Sequence, residues 1–353
     1  MTLPTGAEQI DVPRGPEEAP GTRLRVPFAR TAIALVAGLA LLGFLIYHAD
    51  VDAIHDRMDE LRWYGPLVLV PWVVIACLDA RGWRCTLPPD AARRVPFHSL
   101  VLVRMAGEAV NSLTPTAAVG GEPVKAHLLR AWGVSGSDSL ASIVIAKTAL
   151  TVTQSLFVVV GIAALLYRMG EQALALAWGL LLLLVTAGFA IALVRIQRGS
   201  PASVVWRWLH RLAPRAKFIA RLEETVAAID LRLADFYRRE GDAFWRAGLW
   251  HFAGWLFGVT EVALIMSLIG APVTWLDALI IEALSQPIRA AAIVVPGGLG
   301  TQEVGGVALC TFLGMAESDA ATLWLLKRGR ELAFDGLGLL YLTRRSARRR
   351  RQG

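Results

Sequence analysis

The sequence predicts an all-α polytopic membrane protein with about six full transmembrane helices and two re-entrant, broken hairpins. Apolar residues make up 55% of the 353 residues and charged residues 18%, whereas a typical soluble domain carries about 25% charge. The mean hydropathy is +0.50. The apolar residues also occur in long runs, of which 31–47 and 172–194 contain no Asp, Glu, Lys or Arg. A hydrocarbon layer about 30 Å thick requires about 20 such residues per helix.

The positive charge lies where membrane topology would place it. The net charge is +7, and arginines cluster at 344, 345 and 348–351. Arginines beside an apolar segment mark the cytoplasmic side of a membrane and attract anionic lipid. We therefore expect the basic tail, residues 343–353, to be cytoplasmic and to contact anionic lipid, and we expect no binding to nucleic acid.

The N-terminal region predicts a tail followed by a first transmembrane helix. Residues 1–22 are rich in Pro, Gly and Glu and predict a disordered cytoplasmic tail. Three arginines, Arg23, Arg25 and Arg30, precede the apolar run 31–47. A secretory signal is the competing interpretation, but this run is long for a signal core and no clean cleavage pattern follows. We predict a retained helix that enters from the cytoplasm.

Five further apolar segments predict full spans, at about residues 64–83, 141–167, 172–194, 247–270 and 320–342. The distribution of Lys and Arg between the connections places both termini in the cytoplasm, together with a basic linker at 195–246. Within that linker, apolar residues recur every three or four positions over 222–236, which predicts an amphipathic helix. This helix either lies in the membrane interface or packs against the helix bundle.

Two segments, 97–130 and 276–315, are apolar but are interrupted by Pro, Gly and ionisable residues. Irregular backbone does not face lipid, because its unsatisfied amides and carbonyls are costly there. It is tolerated where it is buried in protein or lines a wet cavity. We therefore predict two helical hairpins, each broken near membrane depth, that line a polar cavity.

The two hairpins also resemble each other. Glu108 and Glu282 are each followed by Ala and then by a Pro, and each Gly-Gly pair has a nearby glutamate, Glu122 or Glu303. The same order of elements occurs twice, which predicts an inverted repeat of the kind found in many transporters. We predict one transmembrane domain over 23–342, with repeats at about 30–168 and 172–342.

The Gly-Gly pairs predict sites where backbone approaches a ligand or turns left-handed. Helices would restart after them, with Pro123 in the first turn of one and Thr301 as the N-cap of the other. A helix N-terminus suits a phosphate or a hydroxyl-rich head group. The alternative is that these glycines only permit tight helix packing.

Ionisable residues inside spanning segments are costly and are usually functional. Lys147 and Glu261 occupy such positions, and 327–331 interrupts the last span with four charges. We predict that Arg330 faces the bundle interior and pairs with Glu282, Glu303 or Glu331. The alternative for each is a structural ion pair within the membrane.

The candidate lipid-binding residues combine these hairpin and intramembrane positions. They are Glu108, Asn111, Pro115, Gly120, Gly121, Glu122, Lys125, Lys147, Glu282, Gln286, Arg289, Pro296, Gly297, Gly298, Gly300, Gln302, Glu303, Arg330 and Glu331. The sequence contains no metal-ligand spacing and no Walker loop, and the glycines at 297–300 do not follow a strand. We therefore predict no catalytic residue, metal or cofactor.

The motifs resemble those of one membrane family. Residues 107–115 (GEAVNSLTP) and 120–125 (GGEPVK) resemble the first signature of the lysylphosphatidylglycerol synthase transmembrane-region, or flippase-like, family. Residues 282–289 (EALSQPIR), 296–303 (PGGLGTQE), 327–331 (KRGRE) and 82–84 (GWR) are similar to its hopanoid-biosynthesis-associated, HpnL-type branch. The resemblance covers roughly residues 30–342.

The resemblance implies an inner-membrane protein that moves, or helps to move, an amphiphilic lipid between leaflets. It places these residues in the lipid-handling core: Asn111, Pro115, Gly120, Gly121, Glu122, Pro296, Gly297, Gly300 and Glu303. One departure is Lys125, where many relatives carry Arg, because Lys lacks the bidentate fork that suits phosphate. The soluble aminoacyl-transferase domain of the full synthases is absent from the sequence, so we do not expect lipid aminoacylation.

Three functions remain open at this stage. We favour a transporter of a hopanoid or phospholipid, in which the head group passes the broken helices while the tail stays in hydrocarbon. The second is an integral-membrane enzyme that modifies a lipid head group. The third is a non-catalytic partner of hopanoid- or lipid-biosynthesis proteins, with the amphipathic linker as its docking surface.

Overall fold

The computed structural model describes residues 51–113, 120–212, 223–291 and 298–350. Over these ranges the chain is helical apart from short connections and contains no strand, which confirms the predicted all-α class. The helices of the described ranges are α1 Val51–Leu61, α2 Val70–Thr86, α3 Pro89–Arg94, α4 Phe97–Leu113, α5 Gly121–Leu129, α6 Gly136–Arg168, α7 Gln172–Arg198, α8 Pro201–Leu212, α9 Glu223–Arg239, α10 Gly241–Leu268, α11 Trp275–Ala291, α12 Thr301–Phe312 and α13 Glu317–Arg350.

Four helices in the described part of the chain are long and apolar enough to cross a membrane. They are Trp63–Thr86, Gly136–Arg168, Gln172–Arg198 and Gly241–Leu268, the first of which joins a 3-10 segment to α2. They coincide with four of the six predicted spans. The predicted span 320–342 is helical within α13 but is not in this set. The predicted span 31–47 and the tail 1–22 lie outside the described residues.

Helix α6 begins five residues before the apolar pattern predicts, because its start is set by a cap. The side chain of Ser135 accepts a hydrogen bond from the backbone N–H of Asp138 at 3.0 Å. Helix α7 is different in environment, since none of its most apolar window is buried inside the protein. Its leucines therefore form a surface suited to lipid.

Both predicted hairpins consist of two helices joined through a break. Helices α4 and α5 pack together, as do α11 and α12. The connections fall in residues 114–119 and 292–297, which are not described. Helix α11 continues through Pro287 to Ala291, so this proline does not end the helix. That the hairpins are re-entrant stays a prediction.

The helices of the two predicted repeats interlock. Helix α2 makes the most extensive contact of the bundle with α10, the second full span of the other half. Helix α4, the first arm of one hairpin, packs on α13, and α11, the first arm of the other, packs on α6. Each hairpin therefore rests on the last helix of the opposite half. The inverted repeat itself stays a prediction.

The described residues of the basic linker form helices α8 and α9 between the two long helices, and α9 packs into the bundle. Leu233 and Phe236 on α9 are completely or almost completely buried. They form a cluster with residues of α6 and α10, among them Ile145 and Phe244. Of the two alternatives for the amphipathic segment, the structure therefore favours packing over an interfacial position.

Candidate functional site

A cavity of about 350 Å³ lies between the two interlocked halves. Helices α2, α4, α5, α6, α10, α11 and α13 contribute to its wall. Five carboxylates and six cationic side chains line it: Asp79, Glu108, Glu122, Glu261, Glu282, Arg104, Lys125, Lys147, Arg289, Lys327 and Arg330. Such side chains are rare inside membrane proteins because of their desolvation cost, and they usually mark a substrate or ion path.

The first hairpin contributes a chain of alternating charges. Lys125 Nζ lies 2.6 Å from Glu108 Oε1 and 3.1 Å from Glu122 Oε2. Lys147 on α6 donates to the other oxygen of Glu122 at 2.9 Å. The network therefore ties both arms of the hairpin to the following long helix.

A glycine contact brings this network together. A Cβ on Gly121 would lie 1.9 Å from the carbonyl oxygen of Gly107, so only glycine permits the observed approach of α5 to α4. The N–H of Gly121 donates to Asn111 Oδ1 at 2.7 Å. Gly120 has φ −63°, so of the alternatives given for the first Gly-Gly pair the structure shows close helix packing and no left-handed turn at Gly120. Pro123 lies in the first turn of α5, as predicted.

The second hairpin contributes a comparable set of ion pairs. Lys327 Nζ on α13 lies 2.5 Å from Glu282 Oε2. Arg328 Nε lies 2.5 Å from Glu303 Oε1, and its Nη1 lies 2.9 Å from Glu331 Oε2. Arg289 Nη2 lies 2.9 Å from the other oxygen of Glu331. In each half, the glutamate after the glycines pairs with a cation of the long helix that follows.

The second glycine-rich turn differs from the first. Gly298 and Gly300 have φ of 62° and 73°, in the left-handed region that favours glycine, as predicted. The prediction of Thr301 as an N-cap is wrong, because Gly300 occupies that position. The Thr301 hydroxyl instead donates to the carbonyl of Gly298 at 2.9 Å. It therefore closes the turn and does not cap α12.

Arg330 faces the bundle interior, but its predicted partners need correction. Its Nη1 lies 2.5 and 2.6 Å from the two oxygens of Glu261 on α10. Of the three partners predicted, only Glu331 is near, with its Oε1 3.5 Å from Nη2. The guanidinium also lies 4.2 Å from the ring centroid of Trp72, a cation–π contact.

Three residues that the sequence analysis did not select form a further cluster in the wall. Asp79 Oδ2 accepts from Arg104 at 2.5 Å, and its Oδ1 lies 2.8 Å from His251 Nδ1. His251 is 3% exposed, and its Nε2 has no hydrogen-bond partner among the described residues. Asp79 and His251 occupy apolar spans, so the criterion that selected Lys147 would also have found them.

Eight of the candidate residues line the cavity. They are Glu108, Glu122, Lys125, Lys147, Glu282, Gln286, Arg289 and Arg330. Asn111 and Gly121 hold the hairpin arms together, and Glu303 and Glu331 pair with cations of α11 and α13. Three other candidates, Gly120, Gly298 and Gly300, form the turns. Gln302 is buried in the first turn of α12. Pro115, Pro296 and Gly297 lie outside the described residues.

The N-terminal turns of α5 and α12 each contain a glutamate. The first turns of α5 and α12 already carry Glu122 and Glu303, whose carboxylates complement the positive ends of the helix dipoles. A phosphate there would meet these carboxylates, so the predicted phosphate position at the helix ends is disfavoured. The cationic side chains of the cavity are the better anion partners.

The cavity lining carries a formal excess of one positive charge with His251 neutral. Two of its cations keep large exposed fractions, 42% of the Lys147 side chain and 40% of the Arg289 side chain. They lie on opposite halves of the molecule. Among the described residues, no group of three His, Cys, Asp or Glu is placed to hold a metal ion.

The fold and the cavity define a class of helical membrane protein with an ion-paired interior. Within that class, the model of the family called lysylphosphatidylglycerol synthase TM region matches residues 31–337. The chain belongs to this family. A UPF0104 membrane protein of Methanothermobacter thermautotrophicus is 25% identical over 317 residues, which cover 84% of this chain and 90% of that protein. No solved structure matches significantly.

Proposed function

We propose that the protein moves an amphiphilic lipid between the leaflets of a membrane, with the head group passing through the charged cavity. The observation that carries this proposal is the concentration of five carboxylates and six Lys or Arg side chains around one cavity of about 350 Å³. The family name refers to a lipid synthase, which supports a lipid-related role. The lipid-facing helix α7 supports a location in the bilayer.

The arrangement of the ion pairs suits a passing head group. A head group that leaves water loses its hydration shell. Fixed charges in the cavity compensate for this loss only if the head group can reach them. Lys147 and Arg289 meet this condition, because each keeps an exposed fraction while it pairs with a glutamate. They would exchange these glutamates for an anionic or hydroxyl-bearing head group. The acyl or ring system of the lipid stays in hydrocarbon.

The identity of the lipid is part of the proposal. A phospholipid suits the excess positive charge of the cavity, and the resemblance of residues 296–303 to the HpnL-type branch favours a hopanoid. We place the protein in the bacterial inner membrane with both termini in the cytoplasm, since Arg344 and Arg345 lie near the C-terminal end of the last long helix, α13.

The proposal is tested by reconstituting the full chain into vesicles that contain tail-labelled fluorescent phosphatidylglycerol or a labelled hopanoid. Dithionite added outside destroys only the label in the outer leaflet, so leaflet exchange appears as additional quenching. We expect faster exchange than in protein-free vesicles for at least one probe, with the mass of the lipid unchanged. Exchange at the protein-free rate for both probes would contradict the proposal.

One observation favours the second function, a head-group-modifying enzyme. His251 is oriented by Asp79 at 2.8 Å, and its Nε2 has no hydrogen-bond partner in the part of the chain that the structure describes, which is the arrangement of a general base. In this case, incubation would give a lipid of changed mass, and His251→Gln would abolish that product. A mass spectrum identical before and after incubation favours transport.

A further inference from the structure

The short helix α8 has features that the charged cavity does not explain. It follows α7 directly, after a turn at Gly199 and Ser200. Ser200 has φ 62°, the one positive φ of a non-glycine residue in the described ranges. A left-handed serine is unfavourable, so the surrounding structure fixes this change of direction at the end of α7.

Helix α8 is held in a defined orientation by α9. The carboxylate of Asp230 on α9 accepts hydrogen bonds from the backbone N–H groups of Ala202 at 2.9 Å and Ser203 at 2.8 Å. Asp230 is buried, and α9 is itself packed into the bundle through Leu233 and Phe236. The first turn of α8 is therefore capped by a residue that cannot move independently of the core.

One apolar face of α8 is left exposed by the described residues. Val204, Val205 and Trp208 are 51%, 56% and 61% exposed. Their spacing of one, three and four positions places them on one side of the helix. Arg207 and Arg211 on the same helix are exposed as well. A large tryptophan beside two valines, bordered by arginines, is the pattern of a helix that lies in a membrane interface.

We propose that α8 lies in the membrane–water interface and binds an anionic lipid surface. Val204, Val205 and Trp208 enter the boundary between head groups and acyl chains, and Arg207 and Arg211 contact lipid phosphates. The occupant is the bilayer because α7, which ends at Arg198 immediately before α8, has no buried residue in its most apolar window. The lipid that surrounds α7 therefore reaches the start of α8.

The inference is independent of lipid transport and concerns a different surface from the cavity. We predicted from the sequence an amphipathic helix at 222–236, either in the interface or packed on the bundle, and made no such prediction for α8. The pattern of α9 reflects burial in the bundle, whereas the exposed apolar side chains lie on α8. Tryptophan and arginine are both favoured at membrane interfaces, and arginines near an anionic leaflet add attraction.

The test is the membrane depth of a nitroxide at position 205. The full chain, with Cys77, Cys85 and Cys310 replaced by Ala, carries Val205→Cys for labelling. It is reconstituted into vesicles of phosphatidylcholine with phosphatidylglycerol. The matched control is Arg239→Cys on α9, where the native side chain is 78% exposed. We expect the label at 205 to be relaxed by oxygen and protected from a water-soluble nickel chelate, and the label at 239 to show the reverse.

Equal access of the nickel chelate to both labels would overturn the interfacial position. Dipolar broadening between labels at 205 would also overturn it, since that result identifies a second copy as the occupant. The anionic part is tested with Arg207→Gln/Arg211→Gln in vesicles with and without phosphatidylglycerol. With both arginines present, we expect the label at 205 to be several-fold more protected from the nickel chelate in the anionic vesicles. We expect the double variant to lose this difference. If the label at 205 in the protein with both arginines were equally protected with and without phosphatidylglycerol, the binding of an anionic surface would be overturned.

Discussion

Arg330 and Glu261 form an ion pair between two long helices, α13 and α10, with side chains only 2% and 1% exposed. Nη1 of the arginine contacts both carboxylate oxygens, and Trp72 covers the guanidinium face. The pair lines the cavity and at the same time holds the last helix against the centre of the bundle. Each of the two charges therefore compensates the other in a buried position.

Breaking this pair on one side should destabilise the protein strongly. Arg330→Gln or Glu261→Gln leaves an uncompensated buried charge, a change that typically costs about 3–5 kcal/mol. Thermal unfolding of detergent-purified protein measures the loss. The double variant Glu261→Gln/Arg330→Gln should recover most of it, because no unpaired charge remains. A double variant as unstable as the sum of the two single variants would contradict this account.

The glycine contact in the first hairpin gives a second prediction. In Gly121→Ala the new Cβ would lie 1.9 Å from the Gly107 carbonyl oxygen. The two arms must then separate, at a cost of about 1–3 kcal/mol as in other overpacked sites. Gly188→Ala on α7 is the matched control, since nothing lies within 4 Å of its Cβ. There the helix propensity of alanine should add up to about 1 kcal/mol of stability.

Unfolding temperatures of the two glycine variants should therefore shift in opposite directions relative to the parent. A Gly121→Ala protein as stable as the parent would show that the arms are not held at the observed distance.

Asp79 gives a third prediction through its two partners, Arg104 and His251. Asp79→Asn removes the only carboxylate that the structure places within hydrogen-bond distance of either group among the described residues. Because Arg104 then stays charged in a poorly hydrated wall, we expect a loss of about 3–5 kcal/mol of stability. Asp90→Asn is the control: Asp90 pairs with Arg93, but both side chains are about three-quarters exposed. Exposed pairs contribute about 0–1 kcal/mol.

The unfolding midpoints of these two variants measure the contrast. Similar shifts for Asp79→Asn and Asp90→Asn would mean that the Asp79 cluster is far better hydrated than its burial indicates.

The sequence predicted those parts of the fold that depend on local pattern. Helices α2, α6, α7 and α10 were found because apolar length is a local property, and the hairpins because Pro and Gly interrupt such runs. The pairing of Arg330 could not be predicted, because Glu261 is 69 residues away and several glutamates were equally plausible.

Other parts of the site were within reach of the sequence. Asp79 and His251 are ionisable residues within apolar spans, so applying one criterion throughout would have selected both. The role of Thr301 was misjudged because a threonine at a helix start suits either a cap or a turn. Its hydroxyl donates to the carbonyl of Gly298, and which acceptor it meets depends on the exact path of the turn, not only on the left-handed φ of Gly298 and Gly300.

The most direct measurement of the central claim compares leaflet exchange of labelled lipid by two variants, each reconstituted into vesicles of the same lipid composition. Lys147→Gln/Arg289→Gln removes the two accessible cations of the cavity, and Leu184→Ala changes a residue of α7 that is 71% exposed and far from the charged wall. We predict exchange several-fold slower than the parent for the cavity variant and parental exchange for Leu184→Ala. Parental exchange by a folded cavity variant would contradict passage of the head group through this cavity.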